Sequence, residues 1–426
     1  MQATLEAEVH KHLRHNFVAS MLDGIFFGFA LGCASFVTVI PLFVSTLTDS
    51  ALLIGLIPAI HTVGWQLPQL LTVNQVARLR RYKPMAVMIS IHERLPFFGL
   101  MAAAWLLPSL GRAWILPITF ALLIWQGLGG GFGAAAWQSM IGKIIPARRR
   151  GTFYGLQAAL ANLLASVGAV LAGVLLERLP SPLDFALCFL IAGLSLAVGW
   201  YFYAQTREPE SPSAAEAGHQ PAHWRNLAAI LRRDPNFRWF LVARMLSQVA
   251  LMAIAFYTVY AVRYYGVSAE TAGLMTGVLM AAQTFGNPIM GWLGDRWGHH
   301  IVLEIGGIAA VASTALAWLS PGPLWFYLVF ALAGIAGVAF WTSALTITLE
   351  FGSEADRPVY IGLSNTMIAP STMLAPLLGG WLADTAGYGA TFLLATAGGL
   401  ATLLILHFMV RDPRSMPAAA RPNLEA

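Results

Sequence analysis

The sequence predicts an all-α membrane protein in which twelve transmembrane helices form two pseudo-symmetric six-helix bundles. First, 58% of the 426 residues are hydrophobic and 11% are charged, whereas a soluble domain carries about 25% charged residues. Second, the apolar residues form blocks of about 20, the length that crosses ~30 Å of hydrocarbon as a helix. Third, one long hydrophilic stretch at 205–236 divides the chain near its middle.

Twelve apolar blocks are candidate membrane spans, and short turns with Pro or Gly join most of them. Their approximate limits are 17–44, 51–75, 84–107, 114–141, 152–177, 184–204, 237–264, 270–292, 301–319, 324–350, 359–383 and 389–410. The hydrophilic stretch contains REPESPSAAEAGHQ, a composition typical of flexible linkers. We therefore expect a first six-helix bundle at 1–204, a cytoplasmic linker at 205–236, and a second bundle with a short cytoplasmic tail at 237–426.

The distribution of lysine and arginine orients the spans. If both termini and the linker face the cytoplasm, twenty of the 25 basic residues lie on that side, as the positive-inside rule requires. These basic residues are spread over many short loops, so the net charge of +5 reflects topology and anionic lipid rather than nucleic acid. We expect a multi-pass protein of the cell inner membrane, monomeric and in contact with lipid, with no nucleic-acid partner.

The two halves of the chain resemble each other. A shift of 220 residues superposes residues 16–17 on 236–237, and a shift of 207 residues superposes Arg150 on Arg357. A duplicated six-helix bundle predicts a site between the halves near the middle of the membrane, reached alternately from each side.

Motifs of soluble enzymes are absent or broken. The glycine cluster GLGGGFG at 127–133 lacks the dinucleotide spacing, so close helix packing is the better interpretation. No P-loop occurs, and HERLP at 92–96 lacks the second histidine of a zinc motif. Cys33 and Cys188 lie in apolar runs and cannot form a disulfide framework. We expect no enzymatic activity, no cofactor and no metal ion.

The turn GWLGDRWGHH at 291–300 resembles the signature of the major facilitator superfamily, in which a glycine, three residues, Asp-Arg, one residue and a glycine precede two basic positions. The matching residues are Gly291, Asp295, Arg296 and Gly298, with His299 and His300 at the basic positions. The resemblance implies a twelve-helix transporter in which Asp295 lies near the start of span 5, where a helix N-terminus favours an anion. The alternative is an ordinary charged turn.

The corresponding turn of the first half, NQVARLRRYKP, keeps Arg78 but has Ala77 in place of the acid. The family fold implies that this turn lies by the start of span 11 and faces Glu350, Glu354 and Asp356. It also implies that the turn with Asp295 faces Lys143 and Arg148 to Arg150. We expect two unlike cytoplasmic latches, each contributing ~0.2–1 kcal/mol. Their candidate residues are Gly291, Asp295, Arg296, Gly298, Arg78, Arg150, Glu350 and Asp356.

Charged residues inside spans are candidates for proton or charge coupling, because each is costly in hydrocarbon. Asp23 and Arg244 occupy near-equivalent positions of the two halves and could form a pair that opens on protonation or substrate arrival. The alternatives are a permanent structural pair or side chains that reach the interface. Glu93 and Arg94 lie within span 3, where Glu93 either pairs with a neighbouring helix or titrates as part of a proton relay.

Amides and aromatic residues complete the polar inventory of the spans. In this family, spans 1, 4, 7 and 10 line the substrate cavity. The candidate cavity residues are Gln126, Trp137, Gln157, Gln248, Gln283, Asn287, Trp341 and Asn365. Each could bind a ligand, or instead join two helices.

Two exporter patterns of the same family are incomplete. Span 4 keeps Gln126, Gly127 and Gly129 but has Leu123 where the exporters have arginine, and the glycine-proline run of span 5 appears in span 11 instead. We predict a secondary active transporter that works by alternating access, is coupled to protons, and exports an amphipathic or lipophilic small molecule. The alternatives are uptake of a neutral nutrient such as a sugar, and a non-transporting membrane receptor or scaffold.

Overall fold

A computed structural model of the chain describes residues 2–211, 227–267, 269–352 and 356–415. These residues form helices joined by short turns, and no strand occurs among them. The helices are α1 (Gln2–Cys33), α2 (Val39–Ser45), α3 (Ala51–Gln66), α4 (Gln69–Val76), α5 (Lys83–Leu110), α6 (Arg112–Ile144), α7 (Arg150–Arg178), α8 (Leu183–Ala204), α9 (Leu227–Arg233), α10 (Pro235–Leu251), α11 (Ile254–Tyr265), α12 (Ala269–Trp297), α13 (His299–Leu319), α14 (Trp325–Val338), α15 (Ala344–Thr348), α16 (Arg357–Ala386) and α17 (Tyr388–Met409). The all-α membrane fold predicted from the sequence is confirmed.

Ten helices of the described chain are long and apolar enough to cross a membrane. The two predicted spans outside this set are spans 2 and 8. Span 2 is divided into α3 and α4 at Pro68, which has no backbone N–H to continue the hydrogen-bond ladder. Span 8 is the continuous helix α12, which carries the polar Gln283 and Asn287 along its length. Twelve helical spans therefore remain consistent with the structure.

Two other spans depart from a regular α-helix. Span 7 consists of α10 and α11, with a turn at Met252 and Ala253. Span 10 consists of α14 and α15, joined by a π-helical segment at Ala339–Ser343. Single π-helical turns inside α-helices are frequent at functional sites, so this segment marks a candidate binding region.

The tertiary contacts divide the chain into two compact units. Unit 1 comprises the described residues of Met1–Pro146 and Leu160–His219, and unit 2 those of Ala147–Ala159 and Gln220–Ala426. The first turns of α7 therefore group with unit 2, whereas the sequence assigned the whole helix to the first bundle. The predicted limits of the two bundles stay a prediction.

Within unit 1, an apolar core that includes Phe43, Phe97 and Phe189 holds the helices together, and glycines let them approach closely. A Cβ atom on Gly129 would lie 2.6 Å from the carbonyl carbon of His92, and one on Gly131 would lie 2.4 Å from the Gly64 oxygen. Because only glycine fits at such distances, the packing interpretation of GLGGGFG is confirmed.

Unit 2 has its own core around Tyr257, Phe326, Phe330 and Phe392. The Tyr257 hydroxyl lies 2.9 Å from the Ser313 hydroxyl, so the polar end of this buried ring is satisfied. Both units thus bury aromatic side chains between helices and leave many apolar side chains on their outer surfaces, as expected for helices in contact with lipid.

The start of the predicted linker is bound to unit 1. Asn16 donates to the Arg207 carbonyl at 2.8 Å and accepts from the Arg207 N–H at 2.7 Å. The Lys83 amine donates to the Thr206 carbonyl at 2.7 Å. The backbone at Thr206 and Arg207 is thus hydrogen-bonded to α1 and α5, and the predicted limits of the linker stay a prediction. Residues 212–226 of the predicted linker lie outside the described residues.

Candidate functional site

Unit 1 contains a buried cluster of charged side chains between α1 and α5. The Arg94 guanidinium donates from Nη2 to Asp23 Oδ1 at 2.8 Å, and the two side chains are 8% and 11% exposed. Arg94 Nη1 donates to the Ser90 carbonyl at 3.1 Å and lies 3.8 Å from Glu93 Oε2. One guanidinium thus faces two carboxyl groups.

The surroundings of this cluster are apolar or aromatic. The rings of Phe27 and Tyr203 lie 5.8 and 5.9 Å from the Arg94 guanidinium carbon, within cation–π range. A Cβ atom on Gly130 of α6 would lie 2.6 Å from Glu93 Oε1, so a larger residue there would displace this carboxyl group. One cation and two acids are therefore buried together between α1, α5 and α6.

Unit 2 buries a different arginine on α10. Arg244 is 4% exposed, and its Nη1 donates to the carbonyl oxygen of Ser364 at 3.2 Å and to the Ser364 hydroxyl. The Ser364 hydroxyl in turn lies 3.1 Å from the Thr348 hydroxyl. No carboxylate of the described chain lies within salt-bridge distance of Arg244.

Within its own unit, each of these two residues has a partner on a neighbouring helix, and the predicted pairing of Asp23 with Arg244 stays a prediction. Asp23 binds Arg94, and Arg244 binds Ser364, each inside its own unit. The internal repeat indicated equivalent positions along two helices, but the partner of a buried charge depends on which neighbouring helix brings a group within reach. The sequence named Arg94 as a candidate but did not predict its pairing with Asp23, although a cation within a span requires an acid nearby.

Polar side chains of unit 2 continue from Arg244 along the seam between α10 and α16. Gln248, one helical turn after Arg244, donates to the Ser247 hydroxyl at 3.3 Å and accepts from the Thr372 hydroxyl at 3.4 Å. Gln248 and Thr372 are half-buried, whereas Arg244 and Ser364 are buried. The seam therefore has a closed cationic end and a more open neutral end.

Asn287 lies at a second polar point of unit 2, beside the π-helical segment. The Thr342 hydroxyl donates to Asn287 Oδ1 at 2.6 Å, and Asn287 Nδ2 donates to the Gln283 carbonyl at 2.8 Å. Trp341, next to Thr342, is 48% exposed. Asn287 therefore joins α12 to the π-helical segment.

The other candidate cavity residues have different surroundings. Gln126 is buried, and its Oε1 lies 3.0 Å from His61 Nδ1, so it joins two helices of unit 1. Trp137 and Gln157 are half-buried, Gln283 is half-buried, and Asn365 is buried. Their role as the lining of a substrate cavity stays a prediction.

The motif turn of unit 2 places Asp295 at the start of α7. Its carboxylate accepts from the backbone N–H groups of Gly151 at 2.8 Å and Thr152 at 2.6 Å, which is the contact that the family resemblance implies. A Cβ atom on Gly291 would lie 2.1 Å from the Gly151 oxygen. Burial raises the pKa of Asp295, but the nearby His299 ring and the hydrogen bonds from Thr152 and Gly151 outweigh burial and hold the pKa below its ordinary value.

The tail after α17 closes over the same turn. Arg414 donates from Nε to Glu350 Oε1 at 2.7 Å and from Nη1 to the Gly294 carbonyl at 3.0 Å. His299 is fully buried, with Nε2 lying 3.7 Å from Asp295 and 3.9 Å from Glu350.

These contacts give one predicted latch residue a partner within unit 2. Glu350 binds Arg414, and Arg78 of unit 1 is exposed; the latch predicted between the turn of the first half and Glu350 stays a prediction. Glu354 lies outside the described residues. Arg150 and Asp356 are buried, and the Arg296 guanidinium lies 5.7 Å from the Trp292 ring; their role in a gate stays a prediction.

Lys143 was expected to face Asp295, but it belongs to a cluster of unit 1. Its amine lies 3.1 Å from Glu208 Oε1, with side chains 1% and 0% exposed, and it donates to the Arg80 carbonyl at 2.8 Å. Glu208 also accepts from the backbone N–H groups of Tyr82 at 2.9 Å and Lys83 at 2.7 Å. Within unit 1, the partner of Lys143 is thus Glu208, an acid that follows α8, and the prediction that Lys143 faces the Asp295 turn stays a prediction.

A family model described as the Major Facilitator Superfamily matches residues 26–262 and 245–425. The chain belongs to this superfamily. The membership agrees with the helical membrane fold and with the contact between Asp295 and the start of α7. The chain is therefore a multi-pass membrane protein of a transporter family.

The chain is also similar over part of its length to individual proteins. The chain is 28% identical over 197 residues to "Multidrug efflux pump LfrA" of Mycolicibacterium smegmatis, covering 45% of this chain and 38% of that protein. It is 29% identical over 150 residues to "Hippocampus abundant transcript 1 protein" of Mus musculus, covering 35% and 30%. The matches thus span less than two fifths of either relative.

Solved structures of transporters have the same fold. The fucose:proton symporter FucP of E. coli superposes with a TM-score of 0.72 at 16% identity, covering 93% of this chain and 99% of that one. A bacterial homologue of the iron transporter ferroportin superposes with a TM-score of 0.70 at 15% identity, covering 92% and 98%. At these identities, the likeness concerns the fold alone.

Proposed function

We propose that this superfamily member is a proton-coupled secondary transporter that works by alternating access. The observation that carries the proposal is the buried cluster of Asp23, Glu93 and Arg94 in unit 1, where one guanidinium faces two carboxyl groups. A transporter coupled to protons needs such a group, enclosed within its spans and able to hold and release a proton.

The charge balance of the cluster explains how it would act. With both acids ionised the cluster carries one net negative charge, and an unpaired charge within a span costs ~2.5–3.5 kcal/mol. One proton on either carboxyl group makes the cluster neutral. A conformational change that moves Arg94 away from Asp23, or admits water, would change the affinity for this proton and so link proton release to transport.

For direction and substrate, we propose efflux of an amphipathic or lipophilic small molecule. The match to a multidrug efflux pump supports this proposal, as do the amide and aromatic side chains of the spans, such as Gln248 and Trp341. Uptake of a neutral nutrient such as a sugar is the second candidate, because Asn287 and Gln248 offer hydrogen bonds without charge. The role of a receptor or scaffold that does not transport is the third.

We further propose that both termini and the linker lie in the cytoplasm, at the inner membrane of the cell. In this orientation, twenty of the 25 basic residues face the cytoplasm. The Asp295 turn would then form part of a gate at the cytoplasmic end, since its carboxylate holds the start of α7 through two backbone bonds.

Substrate-dependent proton movement in proteoliposomes tests the function. A thermal-stability screen of small molecules would supply the substrate, and a pH-sensitive dye inside the vesicles would report protons. We expect substrate to drive proton movement through the wild type but not through Asp23→Asn or Glu93→Gln. Glu304→Gln is the matched control, because this acid of α13 lies in unit 2 beside His407 and far from the cluster in sequence.

Two outcomes would contradict the proposal. Absence of proton movement with every compound that stabilises the wild type would favour the receptor or scaffold. Normal coupling in both Asp23→Asn and Glu93→Gln would remove the cluster from the coupling mechanism.

A further inference from the structure

Arg244 is a buried cation whose only described partners are neutral. Among its guanidinium nitrogens, only Nη1 forms hydrogen bonds within the described chain, to the carbonyl and hydroxyl of Ser364. Arg94 of unit 1 is buried to a similar degree and has Asp23 at 2.8 Å. The two arginines are therefore similarly buried, but among the described residues only Arg94 has a negatively charged partner.

Arginine cannot avoid the cost of burying its charge by losing its proton, because the guanidinium group remains charged in proteins. A buried charge is strongly unfavourable unless it is paired or fully hydrogen-bonded. The hydroxyls of Ser364 and Thr348 and the ring of Phe240, 5.9 Å away, provide dipoles and a π face but no negative charge. The arrangement is thus incomplete without an anion.

The position of Arg244 shows where an anion would come from. It lies at the closed end of the seam between α10 and α16, and Gln248 and Thr372 lie at the more open end. Nε and Nη2 of Arg244 form no hydrogen bond with described residues. These two nitrogens of the planar guanidinium can therefore donate hydrogen bonds to a ligand. Such a fork binds carboxylate or phosphate oxygens in pairs, with stronger bonds than neutral groups make.

We propose that Arg244 binds an anionic group of the transported substrate, a carboxylate or a phosphate monoester, while Gln248 and Thr372 bind its adjoining polar atoms. The inference rests on the proposed function and adds a substrate class: amphipathic organic anions. Ser364 then positions the guanidinium, and the substrate supplies the charge that this unit lacks. In the absence of substrate, Arg244 is held by dipoles alone.

Matched pairs of compounds provide the test: straight-chain and aryl carboxylic acids of four to twelve carbons, each with its primary amide and its alkyl or aryl phosphate counterpart. Binding is measured as a thermal shift of the full-length protein in detergent. We expect the anion of at least one set to bind the wild type tenfold or more tightly than its amide. That preference should be lost in Arg244→Gln and partly kept in Arg244→Lys. Comparing the affinity of each phosphate with that of its carboxylic acid shows which anion Arg244 binds more tightly.

Arg238→Gln is the matched control, because Arg238 is an exposed arginine on the same helix and its removal changes overall charge equally.

The thermal stability of the variants without ligand provides a second readout. If Arg244 serves a ligand, Arg244→Gln should unfold at a temperature close to or above that of the wild type, whereas Arg94→Gln should unfold well below it. A structural arginine would give a similar drop in both variants.

The proposal is overturned if no set shows preference for the anion, or if Arg244→Gln binds the anions as tightly as the wild type. These failures differ from failure of the proposed function. Neutral compounds that drive proton movement equally through the wild type and Arg244→Gln would leave transport intact and remove only the anion site. Absence of proton movement with any binding compound would remove the transporter function itself.

Discussion

The two units each bury one arginine within a membrane span, and they satisfy it in different ways. In unit 1, Arg94 has an ionic partner in Asp23 and a second acid, Glu93, at 3.8 Å. In unit 2, the partners of Arg244 among the described residues are Ser364 and its neutral neighbours. The first arrangement is complete and holds a surplus acid suited to a proton, whereas the second lacks an anion. The comparison supports our two proposals, proton binding in unit 1 and binding of the substrate's charge in unit 2.

A second comparison concerns the helix starts near the predicted cytoplasmic ends. In unit 2, Asp295 accepts two backbone N–H groups at the start of α7. In unit 1, the corresponding turn has Ala77, and Glu208 accepts two backbone N–H groups at the start of α5 instead. Both carboxylates satisfy unpaired donors of a helix N-terminus and its positive dipole. The same physical need is met by residues from different parts of the sequence.

The largest effect is expected from removing Glu208. Glu208→Ala would leave Lys143 buried without an acid and two backbone donors without an acceptor, and breaking a buried pair costs about 3–5 kcal/mol. The measurement is the free energy of unfolding in mixed micelles with denaturant. Arg81→Ala is the control, since the Arg81–Glu210 pair is 52% and 59% exposed and such pairs contribute ~0.2–1 kcal/mol. Equal losses in the two variants would contradict the account of Glu208.

The Asp23–Arg94 pair should show strong coupling in a double-mutant cycle. Asp23→Asn and Arg94→Gln each leave a buried charge without its partner, while the double variant removes both charges together. We expect an interaction free energy of about 1–3 kcal/mol, so the double variant is more stable than the sum of the single losses predicts. The same micelle titration measures it. Additive losses would mean that the two side chains do not compensate each other.

Asp295→Asn should destabilise the protein by about 1.5–3 kcal/mol near neutral pH, the range for hydrogen bonds to a charged group. Because folding lowers the pKa of Asp295, its stabilising contribution is complete above the ordinary aspartate pKa and is lost as pH falls toward the lower folded value. The difference between wild type and variant should stay constant from roughly pH 8 to 5 and shrink below about pH 4. A difference that grows on acidification would contradict the assignment.

The smallest effect is expected at the π-helical segment. Thr342→Val removes the hydroxyl that donates to Asn287 Oδ1 at 2.6 Å with little change of shape. A single neutral hydrogen bond contributes about 0.5–1.5 kcal/mol. Thr385→Val is the control, because that hydroxyl bonds only within its own helix, to Trp381, and is exposed. Equal unfolding free energies in the two variants would show that the bond contributes nothing.

The sequence predicted features that depend on hydropathy or on a local motif. Long apolar blocks defined the spans, and GWLGDRWGHH indicated both the family and the place of Asp295 at the start of α7. The unpredicted contacts join residues far apart in the chain. Asp23 meets Arg94 through helix packing, and no periodicity of either helix specifies that meeting.

Two further misses have a compositional cause. Residues 206–211 read as a hydrophilic linker, yet Glu208 is enclosed by Lys143 and the start of α5. Arg414 follows the last helix and reads as part of a charged tail, yet it binds Glu350. Composition indicates whether a segment can bury apolar surface, but a single charged residue docks wherever a complementary group is left unsatisfied.

The most direct test of the division between the units compares substrate exchange with proton coupling in the same proteoliposomes. Once an anionic substrate is found, Asp23→Asn should still exchange labelled for unlabelled substrate across the membrane but should no longer move protons with it. Arg244→Gln should lose exchange itself, since substrate binding fails. Exchange at the wild-type rate in Arg244→Gln, or unchanged proton movement in Asp23→Asn, would contradict the account.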